Sequence, residues 1–499
     1  MKEENAHKEI SIETNSNTEN SVPENERKGW MTTRTERADY GLYLLGQNVI
    51  YTLVSNFLST YLPMCGIDNK KSAPVLLVVK AWDAINDIVF GGIFDKVKFK
   101  KGKFMPWIRI SLIFIPLATI LMFSIPSFGG QVASRQITYK LFWFAIMYIF
   151  WDTAYTLCDV PIYGLITTMT NNLQERTAIM SNSKLYSGVG TIVAYVLGTV
   201  LVSQSVGLSY TFTAIICSLA ALAVMVPISH RGKERNYLHE DKEQSFTFKE
   251  MLMYMARNKY LLIFYGAFII NGCLNTSVPL GMFVSYYLFD NELFNLILGA
   301  LAMIPTAIFA ILMPKIIARI DKYTLFFWGS LLSVVMGLVI FLVGYENKIL
   351  FLTLSVIKAI PASFPLFLVF MFTPDCAEYG QYKTGSDAKG ITFAIQTFSA
   401  KFTSSISTSL GMWVVGVFGF ISYSANSFAE LKEMGATQTP EVLRGLWLAY
   451  ALIPVIGGIL QMILLLFYKL NDKDVQIMSD YNSGVINREQ AEASLSRKY

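Results

Sequence analysis

Residues 78–96 read VVKAWDAINDIVFGGIFDK. Oily residues run through the whole stretch, yet Lys80, Asp83, Asn86 and Asp87 sit inside it within about two turns of helix. Residues three and four apart share a helix face, so Lys80, Asp83 and Asp87 project together with Asn86 beside them. Facing lipid, each charge would cost about 2.5–3.5 kcal/mol at mid-depth, so this polar face must turn toward a wet or paired interior. Asp152, Asp159, Lys184 and Lys401 pose the same problem within other apolar runs. A chain that keeps these groups is built to bind something polar inside a membrane.

Composition agrees. Of 499 residues, 53% are hydrophobic and 15% charged, against roughly 25% charged in an average soluble domain, and the mean hydropathy is +0.43. Folding in water cannot hide that much apolar surface, so lipid is the solvent. At about 20 apolar residues per spanning helix, the runs predict twelve transmembrane segments near 38–63, 72–94, 105–126, 138–165, 178–204, 208–229, 260–289, 294–318, 323–344, 349–374, 390–420 and 442–468. Strand-like alternation is absent from them, so an all-α membrane protein is expected rather than a barrel.

The longest polar interior stretch, 230–259, is read as a cytoplasmic middle loop dividing six helices (38–229) from six more (260–468). Gly91-Gly92-Ile93-Phe94-Asp95-Lys96 closes span two and Ile317-Ala318-Arg319-Ile320-Asp321-Lys322 closes span eight, an echo expected of two six-helix bundles related as repeats. Asp95 and Asp321 are assigned to gating. Residues 1–37 are polar, lack the apolar core of a secretory signal and read as a disordered cytoplasmic tail, with a second tail over 469–499. Lys and Arg on the side carrying both ends outnumber those on the other severalfold, so both termini are expected in the cytoplasm of a multi-pass cell-membrane protein. That asymmetry accounts for the net charge of +5 without nucleic acid. The five cysteines show no metal-ligand spacing, and no nucleophile–base pair, phosphate loop or zinc motif occurs, so neither an enzyme nor a cofactor is expected.

Two carboxylates about 6 Å apart on one helix face repel in a low dielectric until a proton, Lys80 or a metal cation relieves them. Asp83, Asp87 and the amide oxygen of Asn86 are the oxygen ligands a hard monovalent ion wants, with Asp83 and Asp87 as metal ligands if the ion is Na+. The alternative is a structural pair of Lys80 with one Asp. On span four, offsets of 0, 3, 7 and 11 put Asp152, Tyr155, Asp159 and Tyr163 on one stripe. Carboxylates accept hydrogen bonds from vicinal hydroxyls and flat rings pack on the C–H face of a pyranose, so the stripe suits a sugar. Lys184, at the start of span five, is either a substrate contact or a snorkelling lysine. Lys401 lies deeper, in span eleven, ahead of the hydroxyl-rich run Thr403-Ser404-Ser405-Ile406-Ser407. Lys358 in span ten is read as a pairing or gating residue.

Trp82-Asp83-Ala84-Ile85-Asn86-Asp87, Gly91 to Asp95 and Gly102-Lys103-Phe104-Met105-Pro106-Trp107, with Tyr155-Thr156-Leu157-Cys158-Asp159-Val160-Pro161, Glu175-Arg176-Thr177 and Pro374-Asp375-Cys376-Ala377-Glu378-Tyr379-Gly380, resemble the motifs of the glycoside-pentoside-hexuronide:cation symporters. That is the melibiose-permease family of the major facilitator superfamily. The resemblance spans about residues 35–470 and implies twelve helices in two bundles with substrate between them. It implies cation ligation by Asp83, Asn86, Asp87 and Thr156, and substrate contact by Tyr155, Asp159, Tyr163, Lys184, Thr397 and Lys401. Where melibiose-type members have a Lys-Asp pair, this chain reads Gln47-Asn48, so Asn48 is expected at the sugar as part of a neutral amide clamp. Asp152 stands where that pattern has glycine and is expected partly to replace the missing acid.

The expected function is therefore Na+- or H+-coupled symport of a glycoside by alternating access, performed by a monomer in the bilayer. A carrier of amphipathic lipid-like or drug molecules, and a sugar sensor that does not transport, are the other readings.

Overall fold

The computed structural model describes residues 30–97, 99, 102–126, 133–235, 248–385 and 389–499. Most of the expected tail 1–37 and the middle of the 230–259 stretch lie outside these residues. The side chains of Asp87 and Asp95 are likewise outside the described ones.

The first half contains α1 (Arg34–Met64), α2 (Asn69–Lys96), α3 (Met105–Met122), α4 (Ala133–Met169), α5 (Leu173–Val202) and α6 (Tyr210–Arg231). A short α7 (Phe248–Arg257) precedes α8 (Lys259–Cys273), α9 (Ser277–Tyr287), α10 (Phe294–Ile317), α11 (Lys322–Val343), α12 (Lys348–Leu368), α13 (Phe372–Thr384) and α14 (Lys389–Val417). The chain ends in α15 (Phe428–Glu433), α16 (Pro440–Trp447), α17 (Ile453–Leu465), α18 (Asp472–Asn482) and α19 (Arg488–Ser494).

Among the described residues, 9 helical runs are long and apolar enough to cross a bilayer. Helices α1, α2 and α14, of 31, 28 and 29 residues, are long enough but too polar to join them. At 1.5 Å per residue each still reaches more than about 40 Å. These three carry Gln47 and Asn48, Lys80 to Asp87, and Thr397 with Lys401, so their polarity reflects the cleft they line.

Several boundaries differ from the sequence expectation. Helix α1 starts at Arg34, because Thr33 and Glu36 form a capping box that begins the helix before the apolar run does. Span seven is two helices, α8 and α9, parted at Leu274–Thr276. The Thr276 hydroxyl donates to the Ala449 carbonyl within Leu448–Leu452, a π turn joining α16 to α17; a hydroxyl can take up a carbonyl where a wide turn loosens the ladder. Within 230–259, read as loop, the chain forms α7. The tail 469–499 carries α18 and α19, and Asp474 holds its end by accepting from Ser496 Oγ and Tyr499 OH, both at 2.5 Å.

Small residues let the helices of the first half approach closely. A Cβ on Gly46 of α1 would stand 2.6 Å from Met225 and 2.7 Å from the Ala221 carbonyl of α6, while Gly190 of α5 lies against the Leu45 carbonyl. The second half packs around aromatic clusters, Phe264, Phe326, Phe372 and Tyr468 toward the end that carries the termini, and Phe289, Phe351 and Trp447 toward the far end.

The halves meet through α2 with α14, α1 with α9 and α5 with α10. Their far ends are sewn together. Ala425 N donates to Met64 O at 2.8 Å, Ser422 Oγ to Ile67 O at 2.9 Å and Tyr210 N to Asn426 O at 3.2 Å. Glu292 accepts from Gln204 N at 2.7 Å and Gln204 Nε2 at 3.0 Å, and Lys432 Nζ donates to Gln204 Oε1 at 2.7 Å. At the terminal end the polar ties stay within one half: Arg235 with Glu36 at 2.8 Å, Arg231 with Asp39 at 3.4 Å, and Lys322 with Asp375 at 2.7 Å. Among the described residues, hydrogen bonds between the halves run only from mid-depth to the far end.

Candidate functional site

Gln47, Asp83, Asn86, Asp159 and Lys401 all lie 10–13 residues from the terminal ends of their helices, about 15–20 Å along the axes. Asp152 is one to two turns deeper.

Lys401 of α14 reaches across the interface to Asp83 of α2, Nζ to Oδ1 at 3.1 Å. Lys80, on the same face of α2, donates to Thr408 Oγ1 of α14 at 3.2 Å. While a pairing of Lys80 with Asp87 lies outside the described side chains, both lysines thus make contacts between the halves. The reason is the antiparallel course of α2 and α14, which sets Lys80 opposite Thr408 and Asp83 opposite Lys401.

Deeper in the first half, Asn86 is fully buried between α2 and α4. Its Nδ2 donates to Thr156 Oγ1 at 2.8 Å and to Asp152 Oδ2 at 3.2 Å, and the Thr156 hydroxyl donates to the Asp152 carbonyl at 3.2 Å. Asn86 Oδ1 is buried without a hydrogen-bond partner. Asp152, expected at the sugar, thus sits with two residues expected at the cation, because one helical turn separates it from Thr156 and both face α2.

Asp159 accepts from Gln47 Nε2 at 2.5 Å, and the same nitrogen lies 3.3 Å from Tyr155 OH. Gln47, rather than its neighbour Asn48, makes this bridge; Asn48 Nδ2 turns back to the Leu44 carbonyl at 2.8 Å. Adjacent residues on a helix point about 100° apart, so only one of the pair can face α4. An aromatic wall follows: Tyr155 stacks on Trp151 with centroids 5.2 Å apart and meets Tyr51 at 5.4 Å. Trp151 and Tyr51 were not singled out in the sequence, although both lie at helical spacing from residues that were.

Tyr163 lies about three turns nearer the terminal end than Asp152, with 38% of its surface exposed. Lys184 is exposed, and it shares a face with Tyr195, eleven residues later on α5, to which Asn295 of α10 donates from the other half. Offsets of eleven return to the same side of a helix, so Lys184 leaves α5 on the side that faces the opposing half. The same spacing relates exposed Thr397 to Thr408 on α14 and puts it on the cleft side.

Asp321 caps α11, with Oδ2 accepting from Tyr323 N at 3.1 Å and Thr324 N at 3.3 Å while Oδ1 accepts from Asp472 N at 3.1 Å. Its ties hold the terminal end of the second half together and do not cross to the first. Lys358 lies against Gly337 of α11, its Nζ 3.4 Å from where a Cβ would be, away from the cluster at Asp83.

The family model described as "MFS/sugar transport protein" matches residues 39–472. Among curated proteins, the chain is similar to the glucuronide carrier protein homolog of Escherichia coli (strain K12), 24% identical over 461 residues covering 90% of this chain and 94% of that protein. It is also similar to the isoprimeverose transporter of Lactiplantibacillus pentosus, 24% identical with 90% and 91% covered. Among solved structures, a bacterial homologue of the iron transporter ferroportin in an inward-facing state superposes with TM-score 0.61 at 12% identity, covering 88% of this chain and 99% of that one. The nucleoside transporter NupG superposes with TM-score 0.60 at 14% identity, covering 87% and 100%. These likenesses establish the major facilitator fold.

Proposed function

The chain belongs to the MFS/sugar transport protein family, a multi-pass membrane transporter of sugars and not an enzyme, and on that premise we propose that it imports a glycoside together with a monovalent cation by alternating access. The observation that carries this reading is the contact of Lys401 with Asp83 at 3.1 Å. It ties the helix expected to touch sugar to the helix expected to hold the cation, and symport requires such a link between the two sites.

With no cation bound, the Lys401 ammonium occupies the position of positive charge beside Asp83. A cation binding between α2 and α4 takes over that neutralisation and frees Lys401 for substrate. Asp159, oriented by Gln47, accepts hydrogen bonds from sugar hydroxyls, and the exposed ring of Tyr163 offers an apolar face to the pyranose. Tyr155, Lys184 and Thr397 complete the sugar-facing wall. Cation and sugar then strengthen each other's binding, a reciprocal free energy commonly of about 1–3 kcal/mol. An inward membrane potential adds about 2.3 kcal/mol per charge per 100 mV, enough for uphill uptake without ATP.

The excess of Lys and Arg on the terminal side supports cytoplasmic termini. The sewn far ends then face outward, which makes the outer side the closed one. Two lysines on the cleft walls suit a sugar carrying a carboxylate, and one relative is named as a glucuronide carrier homolog.

The test is uptake of labelled glycosides, glucuronides and pentosides included, by cells or vesicles with sodium and pH gradients imposed separately. Accumulation of a glycoside driven by one gradient is the expected result. Transport of sugars that responds to neither gradient would refute coupling.

A further inference from the structure

Resting on the coupled-symport reading, we propose that Asp152 is a ligand of the coupling cation, closing a seat with Asn86 and Thr156, and is not a sugar contact. The three residues are 3%, 0% and 2% exposed, deeper than the half-buried Asp159 and the exposed Tyr163 on the same helix. The seat lies behind the sugar wall.

The geometry is that of a cation site held by a substitute. The Asn86 amide nitrogen stands 2.8 Å from Thr156 Oγ1 and 3.2 Å from Asp152 Oδ2, so its N–H groups supply the positive end of a dipole between two oxygens. Meanwhile Asn86 Oδ1 has no partner, and a buried acceptor left unmade is costly. Half a turn about the Cβ–Cγ bond exchanges the two atoms. Oδ1 then joins Asp152 and Thr156 around a cation, giving three oxygens of the kind hard monovalent ions take. Thr156 Oγ1 already accepts from Asn86 Nδ2 at 2.8 Å, so this oxygen faces the seat as an acceptor. Lys401 holds Asp83 until an arriving cation displaces it. In this conformation the described carboxylate that meets the Asn86 amide is that of Asp152.

The experiment uses the purified full-length protein without sugar, titrated with sodium and lithium chloride at fixed pH and then across pH. Intrinsic tryptophan fluorescence reports the site, since Trp151 adjoins Asp152. Asp152→Asn is expected to raise the half-saturating ion concentration about tenfold or more, a loss ordinary for a metal-site residue, or to abolish the pH-dependent signal if the ion is H+. Asp290→Asn, an exposed acid outside both sites, leaves ion binding unchanged in the same titration. Wild-type ion binding in Asp152→Asn overturns this assignment and leaves symport standing. A wild-type protein that responds to neither alkali ion nor pH overturns both. Should Asp152→Asn fail to fold, Thr156→Val decides the matter, weakened ion binding supporting the seat and unchanged binding refuting it.

Discussion

Replacing Lys401 with methionine should make the sugar-free protein bind its cation more tightly, the opposite of what loss of a site residue usually does. Two unit charges 3.1 Å apart interact by about 5 kcal/mol at an effective dielectric of about 20, and by little more than about 1 kcal/mol in bulk water. The Lys401 side chain is 37% exposed and that of Asp83 24%, so solvent screening pulls the bridge toward the lower figure, about 2 kcal/mol. An incoming cation must displace this bridge. Removing the ammonium should therefore improve cation affinity by roughly 30-fold, taking about 1.4 kcal/mol per factor of ten. The same change should remove cooperativity, because no ammonium is left for the cation to release to the sugar. Isothermal titration of sodium with and without saturating glycoside measures both quantities, and Lys401→Arg should restore wild-type behaviour in part. Unchanged or weaker cation binding in Lys401→Met, or cooperativity that survives it, would refute the displacement argument.

Other consequences are equally direct. Gly46→Val would drive a side chain into Met225 and the Ala221 carbonyl at 2.6–2.7 Å, and thermal unfolding in detergent should show a loss of about 1–3 kcal/mol from overpacking. Glu292→Ala removes the acceptor that Gln204 meets at 2.7 and 3.0 Å; the far-end seal should loosen, and an impermeant maleimide should label Thr60→Cys, a buried position lining that seal, faster than in the parent. Burial raises the Asp474 carboxyl, but hydrogen bonds from Ser496, Tyr499 and Asn471 outweigh it and hold the group below its ordinary value of 3.8. A depressed carboxylate stabilises the fold above the unfolded value and loses that contribution as pH falls through the folded one. Residues 471–499 should therefore stay docked at neutral pH and become protease-sensitive below about pH 4, while Asp474→Asn should undock them at neutral pH.

Much of the molecule was legible in the sequence because membrane folding is governed by local rules. Helical period set Asp152, Tyr155, Asp159 and Tyr163 along one stripe of α4, and apolar length marked the spans. The break in span seven escaped that reading, since Thr276 finds its partner 173 residues away at Ala449. So did the extra helices α7, α18 and α19, which lie outside the apolar runs.

The chain alone determined the helical membrane class and the pool of ionisable groups within apolar runs, because each follows from composition or from spacing within a single helix. Tertiary structure decided who meets whom. Asp83 answers to Lys401, 318 residues away, and Lys80 to Thr408; Gln47 rather than Asn48 holds Asp159; and Asp152 falls in with Asn86. A periodic pattern fixes the direction in which a side chain leaves its own helix, whereas the partner waiting there depends on how that helix is rotated and tilted against others distant in sequence.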